Sequence, residues 1–212
     1  MPNIRNTKLF DLFILVLLLA IAVVASLSLQ LSLLAGILIF FIPPALWLSY
    51  QNKNKIKTTA LFASVATILF VFIDYVCVLN NAWLSPNVVF PRLFGFVVVE
   101  DLIWGFLAVY CIVLFYENFF GENKVEKISP RFKYLAGVFV LVLITMAVLV
   151  KFDPEILRVK YAYAWVAALT FFFPPLLLLY FLPKKTVFNI LKVEIFFFVF
   201  GIANELTAIS LG

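Results

Sequence analysis

The sequence predicts an all-α integral membrane protein, a bundle of about seven transmembrane helices with an internal parallel repeat. Three observations lead to this fold class. Of 212 residues, 66% are apolar and 13% charged, against roughly 45–50% and about 25% in soluble domains. The apolar residues gather in runs bounded by charge or by Pro, Asn and Gly. A segment with a doubled proline, Leu38–Tyr50, recurs late in the chain as Leu169–Phe181. Such a composition excludes a soluble enzyme, a disordered tail and a nucleic-acid-binding module. The net charge of +5 then reads as a topological signal rather than as a site for an acidic partner.

The runs are Leu9–Ser28, Leu33–Tyr50, Thr58–Leu79, Val97–Phe119, Tyr134–Val150, Tyr161–Phe181 and Phe188–Leu211. Each approaches the about 20 residues a membrane-crossing helix needs. None alternates apolar with polar as barrel strands do. The first run is longer than the apolar core of a secretory leader, about 7–15 residues, and reads as a crossing. Twelve of the 16 basic residues fall in the N-terminus and the even-numbered loops: Arg5, Lys8, Lys53, Lys55, Lys57, Lys124, Lys127, Arg131, Lys133, Lys184, Lys185 and Lys192. Arg92, Lys151, Arg158 and Lys160 lie on the other side. Basic loops stay cytoplasmic, so the expectation is a multi-pass cell-membrane protein with a cytoplasmic N-terminus and an outside C-terminus.

The repeat aligns Leu38–Tyr50 with Leu169–Phe181 at seven identities in thirteen positions, including Pro43/Pro44 on Pro174/Pro175. The same step brings Asp74 onto Glu205. Residues 1–212 then form one membrane domain, with a first repeat over 30–121 and a second, incomplete one over 133–212. The step spans four crossings, so the two copies run parallel, as in some transporters. The second copy ends at Gly212, the match of Asn81, before any counterpart of the helix that follows.

Acidic residues separate by depth. Asp11, Glu117, Glu122 and Glu126 sit at cytoplasmic ends and read as solvated, Asp153 and Glu155 belong to an outer loop, and Glu194 is interfacial. Asp74, Glu100, Asp101 and Glu205 lie within apolar sequence at one level, the outer third of the bilayer. An ionisable group at a helix centre costs about 2.5–3.5 kcal/mol on insertion scales, so such groups usually face the bundle interior and mark a site. Asp74 has Asn80, Asn81 and Tyr75 as nearby hydrogen-bonding candidates, and Glu100 and Asp101 also suit the positive end of a helix. Carboxyls shielded from water and cations can hold a proton near neutral pH, and several in one site divide into donor and acceptor. Trp83, Trp104 and Tyr75 share that level, and their π faces suit a carbocation. Glu100 and Trp104 are four apart and share a helix face.

Histidine is absent, and the two cysteines, Cys77 and Cys111, lie far apart in apolar runs. No imidazole chemistry, disulfide framework or metal-binding spacing can be read from such a set. No cofactor is implied either, because the 7 glycines form no GxGxxG fingerprint.

The segment Phe72-Ile-Asp-Tyr-Val, Ala82-Trp83, Pro91, Val98-Val-Glu-Asp-Leu-Ile-Trp-Gly-Phe106 and Leu114-Phe-Tyr-Glu117 resembles the membrane lycopene cyclase domain. That family repeats a Pro-containing helix, an Asp helix followed by Trp, and a helix opening with Pro-x-Glu-Glu or Pro-x-Glu-Asp. These parts fall on Pro43/Pro44, on Asp74 and Trp83, and on Glu100/Asp101. Pro174/Pro175 and Glu205 match the first two parts in the second copy. The likeness covers residues 33–119 well and 160–212 loosely. The motif proline is Val98 here, and the second acidic-motif helix is missing.

The resemblance implies proton-initiated cyclisation of the ends of a linear carotenoid, with no net redox change. Glu100 would be the acid, and Asp74 or Asp101 would orient it or act as base. Glu205 would be the equivalent group of the second half, and Trp83, Trp104 and Tyr75 would bind substrate. The implied partners are the lipid bilayer, the linear carotenoid, and a second cyclase subunit in a homo- or hetero-oligomer. A proton-coupled transporter with repeated helix triplets and a non-catalytic half of a two-subunit cyclase are the rival readings. A retinal protein is disfavoured because Lys192 lies at a helix end, and a prenyltransferase because no DxxxD magnesium motif occurs.

Overall fold

The computed structural model describes residues 4–83, 85, 88–121, 132–169 and 173–211. Among these, the regular structure is helical, with one isolated bridge, Leu93 to Val97. The helices in chain order are α1 (Ile4–Leu29), α2 (Leu33–Gln51), α3 (Ile56–Leu79), α4 (Val99–Phe120), α5 (Phe132–Phe152), α6 (Ala162–Ala167), α7 (Phe173–Phe181) and α8 (Lys184–Ser210). Two 3₁₀ turns, Lys53–Lys55 and Pro154–Leu157, lie before α3 and after α5.

Short connections set neighbours antiparallel. Gln30, at φ 47°, turns the chain between α1 and α2, and the Leu31 amide reaches back to the Ser26 carbonyl. After α2, the Asn52 amide and side chain both bond the Leu48 carbonyl. The longest described link runs from Asn80 to Val98 and contains the bridge, folded tightly at Phe94 and Gly95 (φ 55° and 79°).

α4 is the central helix, packed against α2, α3 and α8. Its Leu107, Ala108, Cys111, Leu114 and Phe115 meet Phe40, Phe41 and Leu48 of α2 and Phe200 of α8 in one buried cluster. Gly105 sets the α3–α4 spacing, because a Cβ there would stand 2.8 Å from the Phe70 ring. α8 enters through rings: Phe200 lies 5.1 Å from Phe41, and Phe196 lies 4.6 Å from Phe115. Many large apolar side chains point outward, among them Phe13, Leu61, Leu141 and Phe198. In water these faces would favour association; in hydrocarbon they are at home, and the helices satisfy their own backbone groups.

Among the described residues, five helical segments are long and apolar enough to cross a membrane: Thr7–Leu29, Leu33–Gln51, Lys53–Leu79, Val99–Phe120 and Lys184–Ser210. Gly137–Phe152 is apolar but shorter. The expectation of seven crossings thus meets five full-length candidates. Of the run Tyr161–Phe181, expected as one span, α6 and α7 are described, and residues 170–172 between them lie outside the described ones. Pro43 and Pro44 sit inside α2, and Pro174 and Pro175 lie in α7.

Candidate functional site

Asp74 lies in the last turns of α3, and Glu100 and Asp101 in the first turn of α4, so antiparallel packing brings these ends together. Asp74 is 2% exposed and Glu100 0%. Asp74 accepts from two sides: the Trp83 indole Nε1 donates to Oδ1 at 2.9 Å, and the Val98 amide donates to Oδ2 at 2.7 Å. It thereby ties the residues just before and just after the 84–97 segment to α3. Val98, standing where the resembled family has proline, supplies an N–H that proline lacks.

Glu100 holds the same segment from the other side. Its Oε1 accepts from the amides of both Val89 and Phe90, the latter at 3.0 Å. Its Oε2 is buried and has no hydrogen-bond partner among the described residues. Asp101 accepts from the Ser85 hydroxyl at 2.9 Å. It also lies within electrostatic reach of Asp74 and of Glu100. The three carboxyls thus form one cluster beneath the link.

Cations stay outside it. The described ion pairs are Lys55–Glu117 at 3.1 Å and Arg158–Glu155 at 2.7 Å. Arg92 of the link donates to the carbonyls of Phe96 and Ser85, so it braces the backbone rather than neutralising a carboxyl. Among the described residues, no group of three or more His, Cys, Asp and Glu is arranged to hold a metal ion.

The aromatic candidates separate. Trp83 orients Asp74 and sets its ring edge-on to Tyr163 at 6.4 Å. Trp104 lies one turn beyond Glu100, between Phe41 at 6.3 Å and Phe70 at 5.9 Å. Its indole Nε1 is buried and, among the described residues, unpartnered. Tyr75 turns to a different cluster, packed on Phe96 at 5.2 Å beside Leu79, Val97 and Leu157. Asn80, a candidate partner for Asp74, instead bonds the Leu157 carbonyl and the Val159 amide.

Glu205 does not join the cluster. It lies near the end of α8, as Asp74 does on α3, but its side chain is exposed. α8 packs on α4, α1 and α2, and the residue it buries near that level is Thr207. The shared depth expected from sequence therefore brings three of the four carboxyls together.

A groove of about 340 Å³ lies between α2, α3 and α4, lined by Leu38, Ile42, Thr67, Val99, Leu102 and Phe106 among others, and none of the three carboxyls is part of its wall. Thr67 is its polar member, and its hydroxyl is turned to the Ala63 carbonyl. The groove is therefore apolar in character.

The opposite end of the bundle corrects one expectation. Asp11, read from sequence as a solvated end residue, is 6% exposed. It accepts from Gln51 at 3.2 Å and Asn118 at 3.1 Å, linking α1 to α2 and α4. Lys8 adds a bond to the Phe119 carbonyl at 2.8 Å. Glu117 pairs with Lys55, while Glu122 and Glu126 lie outside the described residues. Amide side chains at the ends of two facing runs were the sequence signal for this clamp.

No protein-family model, curated protein or solved structure matches this chain.

Proposed function

We propose that the protein is a lycopene-type carotenoid cyclase, a multi-pass enzyme of the cell membrane that closes the ends of a linear carotenoid. One observation carries the reading: three carboxyls without a cationic partner among the described residues gather where α3 ends and α4 begins, with Glu100 Oε2 buried and unpartnered, in a bundle that also has an apolar groove between α2, α3 and α4. The groove suits a hydrocarbon better than the polar solute of a proton-coupled transporter.

In this reaction Glu100 gives a proton from Oε2 to the terminal double bond of the substrate. The tertiary cation is attacked by the neighbouring alkene, which closes the ring and moves the charge into it. Asp101, adjoining Asp74, takes a ring proton to leave the cyclic alkene. One proton enters and one leaves, so the product is an isomer of the substrate. Asp74, held by two N–H donors, positions the base. The Trp104 ring, steadied by Phe41 and Phe70, offers a π face to the cation. The distribution of basic residues supports a cytoplasmic N-terminus in this reading.

A two-subunit cyclase is the second reading, favoured by the exposure of Glu205 on α8. Expression in lycopene-accumulating cells tests both. A monocyclic or bicyclic carotene, with a blue-shifted spectrum and altered chromatographic mobility, supports the single-chain enzyme. Unchanged lycopene, with the protein present in the membrane, refutes it. Cyclisation restored by a second cyclase subunit selects the two-subunit form.

A further inference from the structure

We propose that a second groove, between the start of α1 and the end of α4, seats one anionic phospholipid, with its phosphate on Lys8 and an acyl chain along α1. The site lies at the end of the bundle for which the basic residues support a cytoplasmic position, and it is independent of the cyclase reading.

This groove measures about 270 Å³ and is lined by Lys8, Leu9, Leu12 and Phe119. Lys8 is the polar member of its wall and is half-buried there. The ammonium donates one hydrogen to the Phe119 carbonyl at 2.8 Å. An ammonium carries three donors and no acceptor, so two remain for phosphate oxygens while the first holds Lys8 in the groove. The ion pairs among the described residues belong to Lys55 and Arg158, so none engages Lys8. Asp11, three residues along α1, turns instead to Gln51 and Asn118, and Glu117 is taken by Lys55.

The apolar wall continues along the helix. Leu9, Phe13 and Val16 are exposed, and with Leu12 they share one face of α1 at helical spacing. The strip runs from Lys8 toward the middle of the helix, the course of an acyl chain whose headgroup rests at Lys8. Further positive charge stands at the same end of α4, where the Lys192 ammonium of α8 lies 5.7 Å from the Phe120 ring. Each basic residue near the membrane surface strengthens the binding of anionic lipid about fivefold. Other occupants match the groove less well. A zwitterionic lipid brings a cation along with its phosphate, a hydrocarbon gives Lys8 no counter-ion, and a free phosphate leaves the leucines uncovered.

Native mass spectrometry of the purified full chain in detergent tests the site, by titration with phosphatidylglycerol and with phosphatidylcholine of the same acyl chains. Wild type is expected to bind the first phosphatidylglycerol about tenfold more tightly than phosphatidylcholine. Lys8→Gln should lower the affinity for phosphatidylglycerol about fivefold and leave that for phosphatidylcholine unchanged, whereas Lys8→Arg keeps the charge and the preference. Lys192→Gln, at an exposed position, should lower the preference by a smaller factor, and it serves where the Lys8 variant does not fold. Lys57→Gln, exposed on α3, is the control expected to change nothing. Equal affinity of wild type for the two lipids overturns the proposal. So does an unchanged preference in Lys8→Gln, or an equal loss in Lys8→Gln and Lys57→Gln, which is the mark of diffuse charge rather than a site. Displacement of the bound lipid by inorganic phosphate at equal concentration overturns the lipid as occupant. The comparison of the two lipids needs no variant, and no readout depends on cyclisation.

Discussion

Replacing Glu100 by alanine and by glutamine separates its anchoring of the 80–98 link from the proton donation proposed for it. Oε1 accepts from the amides of Val89 and Phe90. A net hydrogen bond contributes about 0.5–1.5 kcal/mol, so Glu100→Ala, which frees two amides, forfeits about 1–3 kcal/mol. The side chains of Val89 and Phe90 are exposed, and water reaching the freed amides brings the expectation to the low end of that range. Glutamine keeps a carbonyl oxygen in the Oε1 position and with it both acceptor bonds. The assay is unfolding of the purified protein in mixed micelles of rising SDS content, followed by tryptophan fluorescence, alongside carotenoid chromatography of expressing cells. Alanine is expected to lose more stability than glutamine, by about 1 kcal/mol or more, with cyclisation abolished in both. A stable alanine variant refutes the anchoring role. Equal losses refute acceptance of both amides by one oxygen, and cyclic product from Glu100→Gln refutes the acid assignment.

Three further substitutions probe the surroundings. Trp83→Phe removes the donor to Asp74 Oδ1 and is expected to cost about 1–2 kcal/mol and to slow cyclisation, measured by the same unfolding and product assays. Gly105→Ala drives a methyl group into the Phe70 ring at 2.8 Å; overpacking of this kind costs about 1–3 kcal/mol, and an unchanged unfolding midpoint would contradict the tight α3–α4 contact. Asp11→Ala leaves the amides of Gln51 and Asn118 without their acceptor. It should lower stability by about 1–2 kcal/mol and speed hydrogen exchange in α1, while the ratio of carotenoid products stays the same.

The helices of the first half were legible because each apolar run ends in charge, Pro or Asn, and a continuous run of crossing length has one way to satisfy its backbone in a bilayer. α1 to α5 and α8 accordingly overlie their expected runs. The carboxyls of the site were found by depth, a one-dimensional property. Depth grouped Glu205 with Asp74, but the two helices present those positions to different surroundings: Asp74 to α4 and the link, Glu205 outward.

By itself the sequence determined the solvent and the chemistry on offer. Its composition suits hydrocarbon around most side chains, and acids within such apolar sequence are costly there. Only the tertiary structure decided which acids meet. Packing of α3 against α4 through Gly105, and a link whose amides fold back onto Glu100 and Asp74, gather three carboxyls and leave the fourth on α8 apart. The same packing buried Asp11 between amides that sequence left in solvent. Periodicity fixes a residue's height along its helix, whereas the direction it faces depends on contacts between helices distant in sequence, and those contacts form only when the bundle closes.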